Sequence, residues 1–352
     1  MSDKEIQSLD FKRWESKKIS INAPKDSNNE IGKIEWELNP TYLGVALRTQ
    51  DLMVLRIIND NNWNRPIYFG VTVSPTSMLN LDNYLQMEGL AYRLVNNSNQ
   101  IINQNKMSDN LLSYIGDNSW FTDYDSNKYN LLDRDISKEY QRGYIFRNLA
   151  NEKVYVDPQL GRLVQNYRTG FVRLSISHYL NKDFQKAEAA LLKMEEIMPS
   201  SIIPIPSKQL QYQIAQVYSG VGNQAKMKYH MKELVERKDL LLEDYILYGK
   251  TFIQLLEDYD ESKLIFETIY QNYKLIEQSI LRRGFTATKI SEKEWQDWQQ
   301  SLPEIIYLLF LSYKNLEMYD EAKILLNDWI NKNPADDNAK ELLEEILQLE
   351  SS

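Results

Sequence analysis

The sequence predicts a mainly α protein, with a small α+β module over 1–150 followed by a helical repeat array over 151–352. Three observations predict it. From about Pro158 onward apolar residues recur at spacings of three and four, and Pro or Gly falls between segments, as successive amphipathic helices require. Two stretches of this half share one internal spacing. Before Pro158, short runs alternate polar and apolar residues, the period of a half-buried strand.

In the first half, KKISINAP (17–24) and IGKIEWEL (31–38) read as strands. Asn39-Pro40 opens a helical stretch, TYLGVALRTQDLMVLRIINDNN. Another strand follows in WNRPIYFGVTVSP, where Ile67, Phe69, Val71 and Val73 alternate and Pro66 sits at the start, where a strand tolerates a missing N–H. LNLDNYLQMEGLAYRLV (79–95) reads as a helix with Leu81, Tyr84, Leu85, Tyr92 and Val95 on one side, and 96–130 as a polar loop.

In the second half, Phe184 is followed three residues on by Ala187, with Pro199 twelve after that. Tyr319, Ala322 and Pro334 repeat this spacing. These units resemble tetratricopeptide repeats, helix–turn–helix units of about 34 residues. The small residue lets the second helix approach the first, the aromatic plugs the turn, and the proline ends the second helix. Two weaker units lie between. Lys208–Asp239 has Ala215, Tyr218 and Gly222 in place but Met227 at the small position. Glu243–Ile276 has Tyr259 and Phe266, with Ser262 as its small residue. SIIPIP (201–206) and a segment near Thr286–Gln300, with Trp295 and Trp298, interrupt the period, and Asp336–Leu349 is expected to cap the stack.

Composition narrows the function. With 41 basic and 50 acidic residues the formal charge is −9, which repels phosphate backbones and disfavours nucleic acid as the partner. There is no cysteine, so no thiolate nucleophile or zinc ribbon, and two histidines are too few for a His-rich metal site. The longest apolar run, Ile305–Leu311, is far short of the roughly 20 residues that span a bilayer, and the start lacks a signal-like apolar core. Glycine is scarce, and no phosphate-loop, dinucleotide, zinc-protease or nucleophile-elbow motif occurs. No cofactor is expected.

NNWNRPIYFGVTVSPTSMLNLDNYLQMEGLAYRLV, with ALRTQDLMVLRII upstream and YIFRNLANEKVYVDPQLGRLVQNYRTGFVRLS downstream, resembles a bacterial family of large polytopic membrane proteins. Their N-terminal part is grouped with lipid-sugar-dependent glycosyltransferases and with protein O-mannosyltransferase-like proteins of animals. The resemblance covers roughly 17–200, and the repeat tail fits the family's C-terminal end. It implies an extracytoplasmic C-terminal domain without the membrane helices that carry catalysis. Asn96 departs from the family's proline after RLV.

Several residues invite a functional reading beside a structural one. Arg65, Asp82, Glu88 and Arg93 form a candidate polar site for an acceptor or a lipid-linked sugar phosphate, or else ion pairs that fix the module to the repeats. Asp82 is also a ready N-cap, and Asp82 with Glu88 a weakly supported glycosidase pair. Trp120, Phe121, Tyr124 and Tyr129 are a candidate glycan-stacking loop or a hydrophobic anchor. Tyr179, Tyr212, Gln216, Tyr307 and Lys314 fall where regular repeats line a peptide groove. His178 takes the slot of a repeat tyrosine and is expected to pack between helices; His230, in KMKYHMKELVERK, is expected to be solvated.

These readings converge on a non-catalytic scaffold that presents protein partners or acceptors, periplasmic or otherwise extracytoplasmic if the chain belongs to the membrane family. Two alternatives stand: a free cytoplasmic adaptor that binds a peptide, and a glycan-binding module.

Overall fold

The computed structural model describes residues 14–25, 32–97, 101–112, 143–144, 146–285, 288 and 290–350. They fall into two compact units, 1–210 and 211–352.

In the first unit, β1 (Lys17–Asn22) and β2 (Lys33–Leu38) pair antiparallel with Ile19 opposite Trp36 and Ile21 opposite Ile34. The two-residue period sends Ile34, Trp36 and Leu38 into the core and leaves Lys33, Glu35 and Glu37 in water. The Trp36 indole N–H donates to the Leu79 carbonyl at 2.9 Å, which ties the hairpin to the chain beyond it.

Helix α1 (Thr49–Asn61) begins well after Asn39-Pro40, because Tyr42 and Ala46 first close a bridged turn through left-handed Leu43 and Gly44. Its third residue, Asp51, is buried. Burial raises its pKa, but hydrogen bonds from Arg48 and Thr41 outweigh that and hold it below the ordinary carboxylate value.

The expected helix over 79–95 is instead part of a three-stranded antiparallel sheet. β3 (Tyr68–Gly70) and β4 (Leu85–Met87) flank β5 (Ala91–Leu94), with Tyr68 opposite Arg93 and Met87 opposite Tyr92. The reason is Gly89. Its φ of +107° allows Gly89-Leu90 to form a two-residue hairpin turn, and Glu88 N–H donates to the Ala91 carbonyl across it at 2.9 Å. A Cβ on Gly89 would collide with the Tyr144 hydroxyl, which itself accepts the Leu90 N–H at 2.9 Å. The strand expected over Ile67–Val73 shortens to Tyr68–Gly70. A helix, α2 (Gln104–Leu112), occupies part of the expected loop and buries Met107 and Leu111, one turn apart.

Two long helices complete this unit. In α3 (Pro158–Leu180), Asp157 caps the Gln159 and Leu160 amides and Pro158 occupies the first turn, where its missing N–H is harmless. α4 (Phe184–Ile197) packs back on it with Ala187 and Ala190 fully buried. The SIIPIP insertion has a specific anchor. Arg168, 1% exposed, donates to the carbonyls of Met198, Ile203 and Pro204 at 2.9, 2.7 and 3.3 Å and to Gln165 Oε1 at 2.7 Å.

The second unit is helical. Its helices are α5 (Lys208–Gly220), α6 (Gln224–Val235), α7 (Leu242–Leu256), α8 (Tyr259–Arg283), α9 (Glu292–Asn315), α10 (Tyr319–Lys332) and α11 (Asp337–Glu350). α5 starts just before the boundary. The Thr286–Gln300 irregularity lengthens α8 and α9, whose extra turns meet where Trp295 stacks on Tyr273 at 4.9 Å. Ser291 and Glu294 form a reciprocal capping box that starts α9 there, and the helix then runs through Pro303, where the sequence pattern expected a break.

The repeat is most visible at the corners. Lys182, Gly222, Glu257 and Glu317 each adopt a left-handed conformation one residue before the cap of the following helix. Asp183, Asn223 and Asp258 then accept an amide hydrogen from two residues inside that helix. In the fourth corner the cap is Met318, whose side chain accepts no amide hydrogen from the helix it precedes. Met318→Asp is therefore expected to stabilise the protein by about 1 kcal/mol, read as a raised denaturation midpoint at unchanged m-value.

His178 takes the same place in its corner as Tyr218 and Tyr313 in theirs: its carbonyl accepts the cap residue's N–H at 2.9 Å, as do theirs. It is buried as expected, and Nε2 has no hydrogen-bond partner. Desolvation lowers its pKa, with Asp183 opposing and Lys186 reinforcing the shift. The folded state thus binds fewer protons than the unfolded one below about pH 6.5, so stability present at neutral pH is lost as pH falls from there. His178→Tyr should flatten that part of the profile in denaturant titrations at pH 7.5 and pH 5.5. His230 is not solvated: it is buried and stacks against Tyr218 at 5.7 Å.

Candidate functional site

Of the four charged residues singled out from the sequence, Arg93 meets both Glu88 and the hollow that Arg65 lines, and Asp82 stands apart. Asp82 lies exposed at the start of a single 3-10 turn, Asp82–Tyr84, and caps no α-helix. Glu88 points inward, where Oε2 accepts the Tyr68 hydroxyl at 3.0 Å and Oε1 accepts the Asn103 amide at 3.1 Å. Its backbone carbonyl accepts the Asn110 amide at 2.7 Å. The Arg93 guanidinium reaches Glu88 Oε1 at 3.5 Å. Every one of these partners belongs to the module itself, so Glu88 binds the sheet to α2 and not to the repeats. Burial and the Glu88 hydrogen bond push the Tyr68 phenol pKa up.

Arg65 and Arg93 come together. Both line a hollow of about 310 Å³ beside the end of α1, with Trp63, Asn64 and Asn96. The loop that shapes it is strained, since Asn62 and Trp63 both have positive φ, 45° and 59°. The Trp63 indole N–H donates to the Asn22 carbonyl at 2.6 Å, and the Asn61 amide holds the Arg65 carbonyl at 2.7 Å.

Arg173 of α3 was not foreseen, yet it joins module to repeat: it donates to the Tyr92 hydroxyl at 2.7 Å. One turn along, the Ser177 hydroxyl accepts the Gln104 amide at 2.8 Å, and one turn back Gly170 lies against Leu111 and Met107. The module therefore docks along one face of the first repeat's first helix. Its only sequence signal is that a glycine, an arginine and a serine share this face.

The residues expected in the groove behave differently from one another. Tyr179 is half-buried and packs on Phe184. In the second unit, Tyr212 bonds the Thr251 hydroxyl at 3.1 Å and lies beside Tyr248, while Gln216 and Tyr307 are exposed. Lys314 pairs with Glu345 of α11, so the terminal helix already holds it. Trp120, Phe121, Tyr124 and Tyr129 lie outside the described residues. Among the described residues no group of acidic or histidine side chains is placed to hold a metal, and no helix is long and apolar enough to cross a membrane.

Comparison with known proteins bears on the first third of the chain. The family model described as TMEM260-associated domain 2 matches residues 8–111, which contain both the RPIYF and YLQMEGLAYRLV segments. The resemblance read from the sequence holds at that level, as similarity to a domain associated with TMEM260, and the matched span ends before the downstream stretch from Tyr144. No curated protein matches. Among solved structures, a chain in "Structure of Naa15/Naa10 bound to HypK-THB" aligns at 15% identity over 54% of this chain and 31% of its own, with a TM-score of 0.24. The chain thus spans less than a third of that neighbour, and a likeness so slight carries no weight for function.

Proposed function

We propose that this chain is a non-catalytic scaffold that presents protein partners or acceptors, corresponding to the extracytoplasmic C-terminal part of a bacterial membrane protein of the glycosyltransferase-like, O-mannosyltransferase-like class. The observation that carries this is the fusion in one compact unit of a TMEM260-associated domain with a tetratricopeptide-like helical hairpin. Glu88 is consumed in structural hydrogen bonds and Asp82 sits apart in solvent, which speaks against a carboxylate pair at work. Exposed Gln216 and Tyr307 leave side chains of the repeat helices open to a partner.

Two measurements test the reading. The purified chain, given a lipid-linked sugar and acceptor peptides, should show no transfer above the blank; turnover would overturn it. An immunoblot of fractionated source cells should find the epitope on a larger polypeptide in the membrane fraction. A band of this chain's own size in the cytosol would favour the peptide-binding adaptor instead.

A further inference from the structure

We infer that the hollow lined by Trp63, Asn64, Arg65 and Arg93 binds a monosaccharide-sized ligand carrying one negative charge, either free or as a headgroup. The inference stands on the hollow alone and not on the scaffold reading.

The charge balance there is unusual for this protein. The chain carries a formal charge of −9, yet none of the described residues lining the hollow is acidic and two are arginines. Arg93 is partly neutralised from the interior side by Glu88, at 3.5 Å. Arg65 is exposed and has no ion-pair partner among the described residues. Two guanidinium groups against one carboxylate leave a single positive charge, which suits a monoanion. Because a guanidinium presents a planar fork of donors, a carboxylate or a phosphodiester fits it better than a spherical ion does.

Size and wall chemistry point to a ring behind that charge. At about 310 Å³ the hollow sits at the lower end for small-molecule sites. Trp63 supplies a flat apolar wall on which the C–H face of a sugar can rest, and Pro66 and Ile67 extend it. Asn64 lines the same space, and its side-chain amide is of a kind suited to hydroxyl groups. A bulky aromatic in the left-handed region is costly and persists only where its surroundings enforce it. Here the bonds from Trp63 to Asn22 and from Asn61 to the Arg65 carbonyl hold the loop, and both residues line the one hollow.

The test uses tryptophan emission and calorimetry on the full chain at low salt, with glucuronate as the probe, glucose as the uncharged ring and acetate as the ringless anion. Glucuronate should saturate, and both controls should bind far more weakly. Arg65→Gln should weaken glucuronate about tenfold or more, the loss of one charge-assisted contact, while Arg56→Gln, an exposed arginine on α1, should change nothing. Sedimentation with phosphatidylglycerol vesicles against phosphatidylcholine ones then tells a lipid headgroup from a free ligand. Binding to either source that is lost in Arg65→Gln supports the inference. It is overturned if neither glucuronate nor the anionic vesicles bind, if glucose binds as well as glucuronate, or if Arg65→Gln binds like the parent protein with its circular dichroism unchanged.

Discussion

Arg168→Ala should cost about 3–5 kcal/mol, a large part of the stability of an ordinary domain. The guanidinium is almost wholly buried and satisfies three backbone carbonyls from the 198–204 stretch, so truncation strands acceptors inside the first unit and leaves a void beside them. Arg168→Lys should fall between, because one ammonium cannot reach all three carbonyls in the plane a guanidinium spans. Urea denaturation monitored by far-UV dichroism gives the numbers. A loss below about 1 kcal/mol for the alanine variant would mean that water takes over the carbonyls.

Gly89→Ala carries the second large effect, an expected loss of about 2–4 kcal/mol. Part is conformational, since a φ of +107° is foreign to any side chain with a Cβ. The rest is collision: the new carbon would meet the Tyr144 hydroxyl, held by the Leu90 amide and by edge contact with Tyr167 at 5.7 Å. The two parts separate in a double variant. Tyr144→Ala in the Gly89→Ala background should recover the steric share and leave the conformational one. If the pair proves strictly additive, the collision is not the cause.

The helical half was legible from the sequence because its signal is long. Each helix runs through several turns, and Ala187, Ser262 and Ala322 announce close approach by their size alone. Met227, which breaks that pattern, is nevertheless fully buried at the same position. The module was legible only where strands were long enough to alternate, as in β1 and β2. Strands of three or four residues cannot show a period, so Leu81, Tyr84, Leu85, Tyr92 and Val95 satisfied a helical stripe by accident. The glycine inside EGL was the available clue. Helix α2 buries only Met107 and Leu111, too few residues for a stripe amid Asn, Gln and Lys.

For the candidate site, the sequence offers residue types and not their placement. Arginine in RPIYF and in AYRLV is a residue type suited to anions, but only the pairing of β3 with β5 brings Arg65 and Arg93 to one hollow. Arg168 carries no sequence signal at all. One of three arginines in an amphipathic helix, it reads as surface until the carbonyls that surround it are seen.

Three of the four inter-helix corners place a solvent-facing lysine or glutamate, at 182, 257 and 317, in backbone geometry that glycine adopts freely. The protein therefore holds unused headroom. Recoding those three codons would give a sturdier variant for crystallisation or display, and no packed side chain would be lost in the exchange.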